Sequence, residues 1–140
     1  TIGRRQRQMC IRDSIKIWGV DAYGSVLKKY HETGEFDKNE IYPYVTEGIG
    51  EDMIPKNINF DIIDGFTKVT DKDAAIFCRE LLKKEGMFLG NSAGAAIKGV
   101  LQLKENFKPE DLVVVLFHDH GSRYLKKIYN DDWMSKMGYM

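Results

Sequence analysis

Cysteine, histidine and proline are all scarce, at 2, 3 and 3 in 140 residues. Two cysteines cannot build a disulfide framework, and their scarcity fits a reducing cytoplasm. Of the histidines, His118 and His120 flank Asp119 with no cysteine near them. Two histidines at i and i+2 make a poor metal site, so hydrogen-bonded or solvent-facing loop histidines are expected and no metal. The longest unbroken apolar run, Leu112 to Phe117, is far short of the roughly 20 residues that span a bilayer. No membrane partner is therefore expected. Charge of one sign is also missing, since 21 basic residues face 21 acidic ones. What remains is an ordinary soluble composition, 43% hydrophobic and 30% charged, long enough for one compact core.

The charge is unevenly placed. Residues 1–14, TIGRRQRQMCIRDS, hold four basic residues and one acid and follow neither a 2.0 nor a 3.6 period. They read as a foreign, artefactual segment rather than a nucleic-acid-binding arm, which leaves residues 15–140 as the domain. Without them about 17 basic residues oppose about 20 acidic ones, so no nucleic-acid partner is expected.

Ile15 to Asp21 is rich in strand formers, and Phe66 to Val69 reads as a second short strand. Between them lie a short helix near Val26 to Tyr30 and a surface loop broken by glycines and Pro43. Thr70 is placed to cap a helix that carries Ala74, Phe77, Cys78, Leu81 and Leu82 on one face, with Gly86 as its left-handed stop. Cys78 is then a small core residue. A three-residue strand, Met87 to Leu89, leads into a second helix opened by Gly90-Asn91-Ser92-Ala93-Gly94. Leu112 to Phe117 looks like a strand covered on both faces, and Ser122 is placed to cap a last helix through Tyr129. Strands alternating with helices predict an α/β fold, a parallel sheet with flanking helices.

GNSAG fits G-x-S-x-G, the turn that presents a nucleophilic serine in α/β-hydrolases. Asp119 and His120 follow in the order such an enzyme needs, but as neighbours on one loop they have poor geometry to orient each other. Two other roles fit the spacing. Ser92 can simply cap its helix, or the free amides of the helix N-terminus can hold an anion or heteroaromatic ring with the hydroxyl on one ring atom.

The ordered set EGIG, KKEGMFLGNSAG and HDHGSRYLKKIYNDDWM resembles the C-terminal half of the catalytic domain of the cystathionine β-synthase and cysteine synthase family. The likeness runs from about Ile15 to Tyr139. It implies a partial tryptophan-synthase-β-like large domain, fold type II, with pyridoxal 5′-phosphate as cofactor and amino-acid and thiol substrates. It also implies a homodimer for the parent protein, in the cytoplasm that the scarce cysteines fit. By resemblance Ser92 hydrogen-bonds the pyridine nitrogen of the cofactor, Gly90 and Asn91 belong to the same turn, and Asp119 lies near the ring. Glu47, Gly48 and Gly50 are implied as substrate-pocket residues, and Glu47 with the NDDWM ending favours cystathionine β-synthase over cysteine synthase. A neutral hydroxyl does not hold the ring nitrogen protonated as a carboxylate would, which makes the cofactor a gentler electron sink. Two positions depart from the family pattern: Asn91 replaces a glycine, and Phe117-His118 replaces Leu-Pro. The family's cofactor-anchoring lysine, asparagine loop and phosphate cup have no counterpart in this chain, so an isolated chain inactive in catalysis is expected. An inactive half-domain with an exposed sheet edge is the other expectation.

Overall fold

The computed structural model describes residues 15–140. The reading of residues 1–14 as a foreign segment lies outside the described residues. Strand β1, Trp18–Ala22, pairs in parallel with β2, Gly65–Val69, in the register Trp18 to Gly65 through Ala22 to Val69. Each strand sets a glycine beneath its neighbour's aromatic ring. A Cβ on Gly65 would stand 2.5 Å from the Trp18 ring, and one on Gly19 would overlap Phe66. At the end of β1 the fully buried Asp21 accepts hydrogen bonds from the amides of Ala22 and Lys28, both at 3.0 Å. That carboxylate joins the strand to the first turn of α1, Leu27–Thr33, which begins and ends slightly later than its sequence predicted.

Helix α2, Asp71–Glu85, forms as its sequence dictates. Thr70 Oγ1 accepts from the Asp73 amide at 3.1 Å, Lys83 and Lys84 sit at the negative end, and Gly86 closes the helix at φ 69°. Its buried side is Ala74, Ala75 and Cys78. Helix α3, Asn91–Gln102, buries Ala93, Gly94, Ala95, Ala96 and Gly99. A Cβ at Gly94 would overlap the Ala74 carbonyl oxygen and lie 2.8 Å from Cys78 Sγ. The two helices therefore meet backbone to backbone, which only small residues permit. Farther along, a Cβ at Gly99 would come within 2.6 Å of Val20, so the far end of α3 rests on β1. A second apolar cluster gathers Ala75, Cys78, Tyr124, Ile128 and Met134, the last on α4, Asp131–Lys136, whose cap Asn130 accepts from the Trp133 amide at 2.8 Å.

Three expectations fail. Leu112 to Phe117 is not a strand and is not covered: Leu112 is 91% exposed, Val114 86% and Leu116 71%. Continuous apolarity signals a need for two covering layers, and among the described residues nothing supplies them. The described sheet accordingly has two strands, and Met87 to Leu89 contributes only an antiparallel bridge from Leu89 to His120. Ser122 does not cap a helix through Tyr129. The segment is a short 3-10 turn, Gly121–Tyr124, capped by the His120 side chain.

Cys78 is buried, as expected, and donates its thiol hydrogen to the Gly90 carbonyl at 2.8 Å. Burial pushes its pKa up to about 11, so the nucleophilic thiolate is suppressed at neutral pH. In a Cys10→Ser background, a disulfide reagent should label Cys78 only at the rate of unfolding, and rapid labelling in urea-free buffer would contradict the packing described. Gly94→Val should destabilise the chain by about 3 kcal/mol or more in urea unfolding, because the Ala74 carbonyl is backbone and yields little.

Candidate functional site

The site is built where one loop meets the N-terminal ends of two helices. In that loop Gly48 and Gly50 have φ of 87° and 76°, a left-handed geometry that favours glycine. Its near end is fixed by Asp71, the first residue of α2, whose carboxylate accepts from the Val45 amide at 2.7 Å, the Thr46 amide at 2.8 Å and the Thr46 hydroxyl at 2.6 Å. Its far end is fixed through residue 51, whose amide donates to Ser25 Oγ at 2.9 Å and whose carbonyl accepts from the Val26 amide at 3.0 Å.

The second component is the turn into α3. Gly90 donates its amide to the Asp119 carbonyl at 2.9 Å, and Gly121 donates to the Phe88 carbonyl at 3.0 Å. Gly90 is the N-cap, extended and without a side-chain cap, which places Ser92 one residue inside the helix. The cap, one of the roles that the spacing left open for Ser92, is thereby excluded; glycine at the cap leaves the serine hydroxyl free of that duty. Ser92 is 1% exposed, and a Cβ at Gly48 would stand 3.6 Å from both Ser92 Cβ and Ser92 Oγ.

Beside Ser92, the buried Asn91 donates from Nδ2 to Thr46 Oγ1 at 3.2 Å, while its Oδ1 has no partner among the described residues. Asp119 is the third component. Its Oδ2 accepts from the Tyr124 hydroxyl at 2.9 Å, and its Oδ1 is also buried without a partner among the described residues. Gly90 is required here, because any Cβ would overlap Asp119 Oδ1. Burial, reinforced by the hydrogen bond to Asp119, raises the Tyr124 pKa above the ordinary phenol value, so the hydroxyl stays a donor throughout the neutral range.

Of the residues singled out in the sequence, Gly48, Gly90, Asn91, Ser92 and Asp119 converge. Glu47 is at the rim, ion-paired to Lys127 at 2.7 Å. Gly50 is elsewhere, with its Cβ position 2.8 Å from Tyr44 Oη and 2.9 Å from Ser25 Cβ; it shapes the loop and does not face Ser92. Thr46, Asp71 and Tyr124 were not singled out as site residues. Thr46 directly precedes the EGIG stretch, but nothing in one sequence pairs it with Asp71 25 residues on. An open cavity of about 1800 Å³ runs from Gly48 past Ala96 and Gly99 to Val115.

A hydrolase triad is not assembled. The Asp119 carboxylate is engaged by Tyr124, and His120 Nδ1 lies 3.0 Å from Ser122 Oγ, capping its own turn. No group of three or more His, Cys, Asp or Glu side chains gathers in a metal-binding arrangement among the described residues. No helix among them is long and apolar enough to cross a membrane.

Comparison with known proteins gives this corner its class. Residues 2–119 match the family model described as pyridoxal-phosphate dependent enzyme, and the chain belongs to that family. It is 33% identical over 139 residues to the cystathionine beta-synthase of Oryctolagus cuniculus, covering 99% of this chain and 24% of that protein. It is 35% identical to an N-(2-amino-2-carboxyethyl)-L-glutamate synthase of Ralstonia nicotianae, covering 88% of this chain and 34% of that one. Among solved structures, the O-acetylserine dependent cystathionine beta-synthase from Helicobacter pylori superposes with a TM-score of 0.67 at 34% identity, over 84% of this chain and 36% of that one. The chain thus spans about a quarter of the first curated relatives' length, and the expected α/β fold with a parallel sheet and flanking helices is the one observed.

Removing the Tyr124 hydroxyl by Tyr124→Phe would leave Asp119 without its side-chain donor in a largely buried position. The expected cost is about 1–3 kcal/mol in urea unfolding; a change within error of zero would show that solvent satisfies Asp119 instead.

Proposed function

We propose that this chain forms one wall of the active site of a pyridoxal-phosphate-dependent β-replacement enzyme. The reaction is the condensation of serine, or an activated serine, with a thiol, and cystathionine formed from serine and homocysteine is the first product to test. The approach of the Gly48 turn to Ser92, 3.6 Å from the glycine's Cβ position to the serine Oγ, is the observation that carries this reading. It joins the two stretches that the resemblance assigns to substrate and cofactor.

The cofactor, when bound, supplies an electron sink for the amino acid's α-carbon. The residues present fit its ring-nitrogen edge. Ser92, buried and not serving as the helix cap, offers a neutral hydroxyl at a helix N-terminus that can donate to an unprotonated ring nitrogen. Gly90 keeps the turn against Asp119, and Gly48 brings the loop backbone close beside Ser92. Glu47, held at the rim by Lys127, and Gly50, which sets the loop's course, complete the substrate side. Several lysines near these elements are engaged elsewhere: Lys68 donates to Ser25 O and Glu40, Lys72 to Gly138 O, and Lys98 pairs with Asp73. By the resemblance, the lysine that anchors the cofactor is assigned to polypeptide preceding Ile15, and the active parent to a cytoplasmic homodimer.

Activated serine stands as a second substrate reading, since the Helicobacter pylori neighbour is described as O-acetylserine dependent. Two assays decide. The 140-residue chain incubated with pyridoxal phosphate, homocysteine and either serine or O-acetylserine should form no cystathionine; product formation would refute the assignment of the anchoring lysine. In the gene product extended upstream, Ser92→Ala should lower kcat/KM by at least about tenfold, as for one lost hydrogen bond to a polar or charged group. An unchanged kcat/KM would remove Ser92 from the cofactor.

A further inference from the structure

We infer that Asn91, Thr46 and Asp71 form a positioning chain that holds the Glu47-Gly48 turn in register over Ser92. This deepens the proposed function and rests on its placing of Ser92 at the cofactor. The two glycines that let the loop approach Ser92 also leave it conformationally free, so something outside the loop has to fix it. Asp71 receives three hydrogen bonds from two consecutive residues, Val45 and Thr46. The Thr46 hydroxyl gives its only hydrogen to Asp71 and is left as an acceptor, which the Asn91 amide meets at 3.2 Å. The sense of donation runs one way, from Asn91 through Thr46 to Asp71.

Thr46 and Asn91 are each 2% exposed, so water does not readily replace either partner. Asn91 directly precedes Ser92, and Thr46 lies two residues before Gly48. The chain therefore ties the first residue of α2 and the first residue of α3 to the loop that both helices face. Asp71, Thr46 and Asn91 act through the loop and are positioning residues, not catalytic ones.

The test is amide hydrogen exchange by NMR in the full 140-residue chain, without ligand. Thr46→Val and Asn91→Ala should each speed exchange at residues 45 and 46, whose amides Asp71 holds, by roughly five- to tenfold, while residues 74–82 within α2 keep their protection. Thr46→Ser, which retains the hydroxyl, should restore the original rates. The Thr46→Val/Asn91→Ala double variant should add less than the sum of the two effects. Unchanged exchange in Thr46→Val, or full additivity in the double variant, overturns the proposal. Should Thr46→Val fail to fold, Asn91→Ala decides against the same criterion. Ser92→Ala separates this from the cofactor reading. It should leave exchange at 45 and 46 unchanged, and its effect in the activity assay bears on the cofactor alone.

Discussion

The side-by-side contact of α2 and α3 is the constraint on which the rest depends. At Gly94 the second helix lies against the Ala74 carbonyl of the first with no side chain between them, so the two axes are fixed closely. Because the contact involves the early turns of both helices, their N-terminal ends emerge side by side. Asp71 and Asn91-Ser92 are thereby presented to the same loop. Two positive dipole ends facing one polar loop make a natural place for acceptor groups, and the chain itself supplies the carboxylates of Asp71 and Asp119 there.

Parts of this were legible in the sequence and parts were not, for physical reasons. Helix α2 was plain from its cap, its apolar face and its glycine stop, all of which are local signals. The convergence of Ser92, Asn91, Gly90 and Asp119 was readable through motif resemblance, and Gly90 gains its reason only in three dimensions, where Asp119 occupies the volume of its missing Cβ. The role of Thr46 is a matter of pairing between residues 25 and 45 positions apart, which no local pattern encodes. The spacing left a cap open as one role for Ser92 because serine is a good one; glycine, which is also accepted at that position, takes it instead.

Leu112 to Phe117 shows the opposite failure. Its composition states what environment the segment is suited to, and composition cannot state whether that environment is present. Among the described residues it is not, and the trough beside it is lined on the opposite wall by β1 and α3. The solved neighbour contains nearly three times the polypeptide that this chain matches.

The same exposed run has a calorimetric consequence. Apolar surface already in water in the native state contributes nothing to the heat capacity increment of unfolding. The chain should therefore show an increment below the roughly 12–15 cal/mol/K per residue usual for globular domains. Its stability then varies less with temperature, with a broad, shallow maximum rather than a tall one.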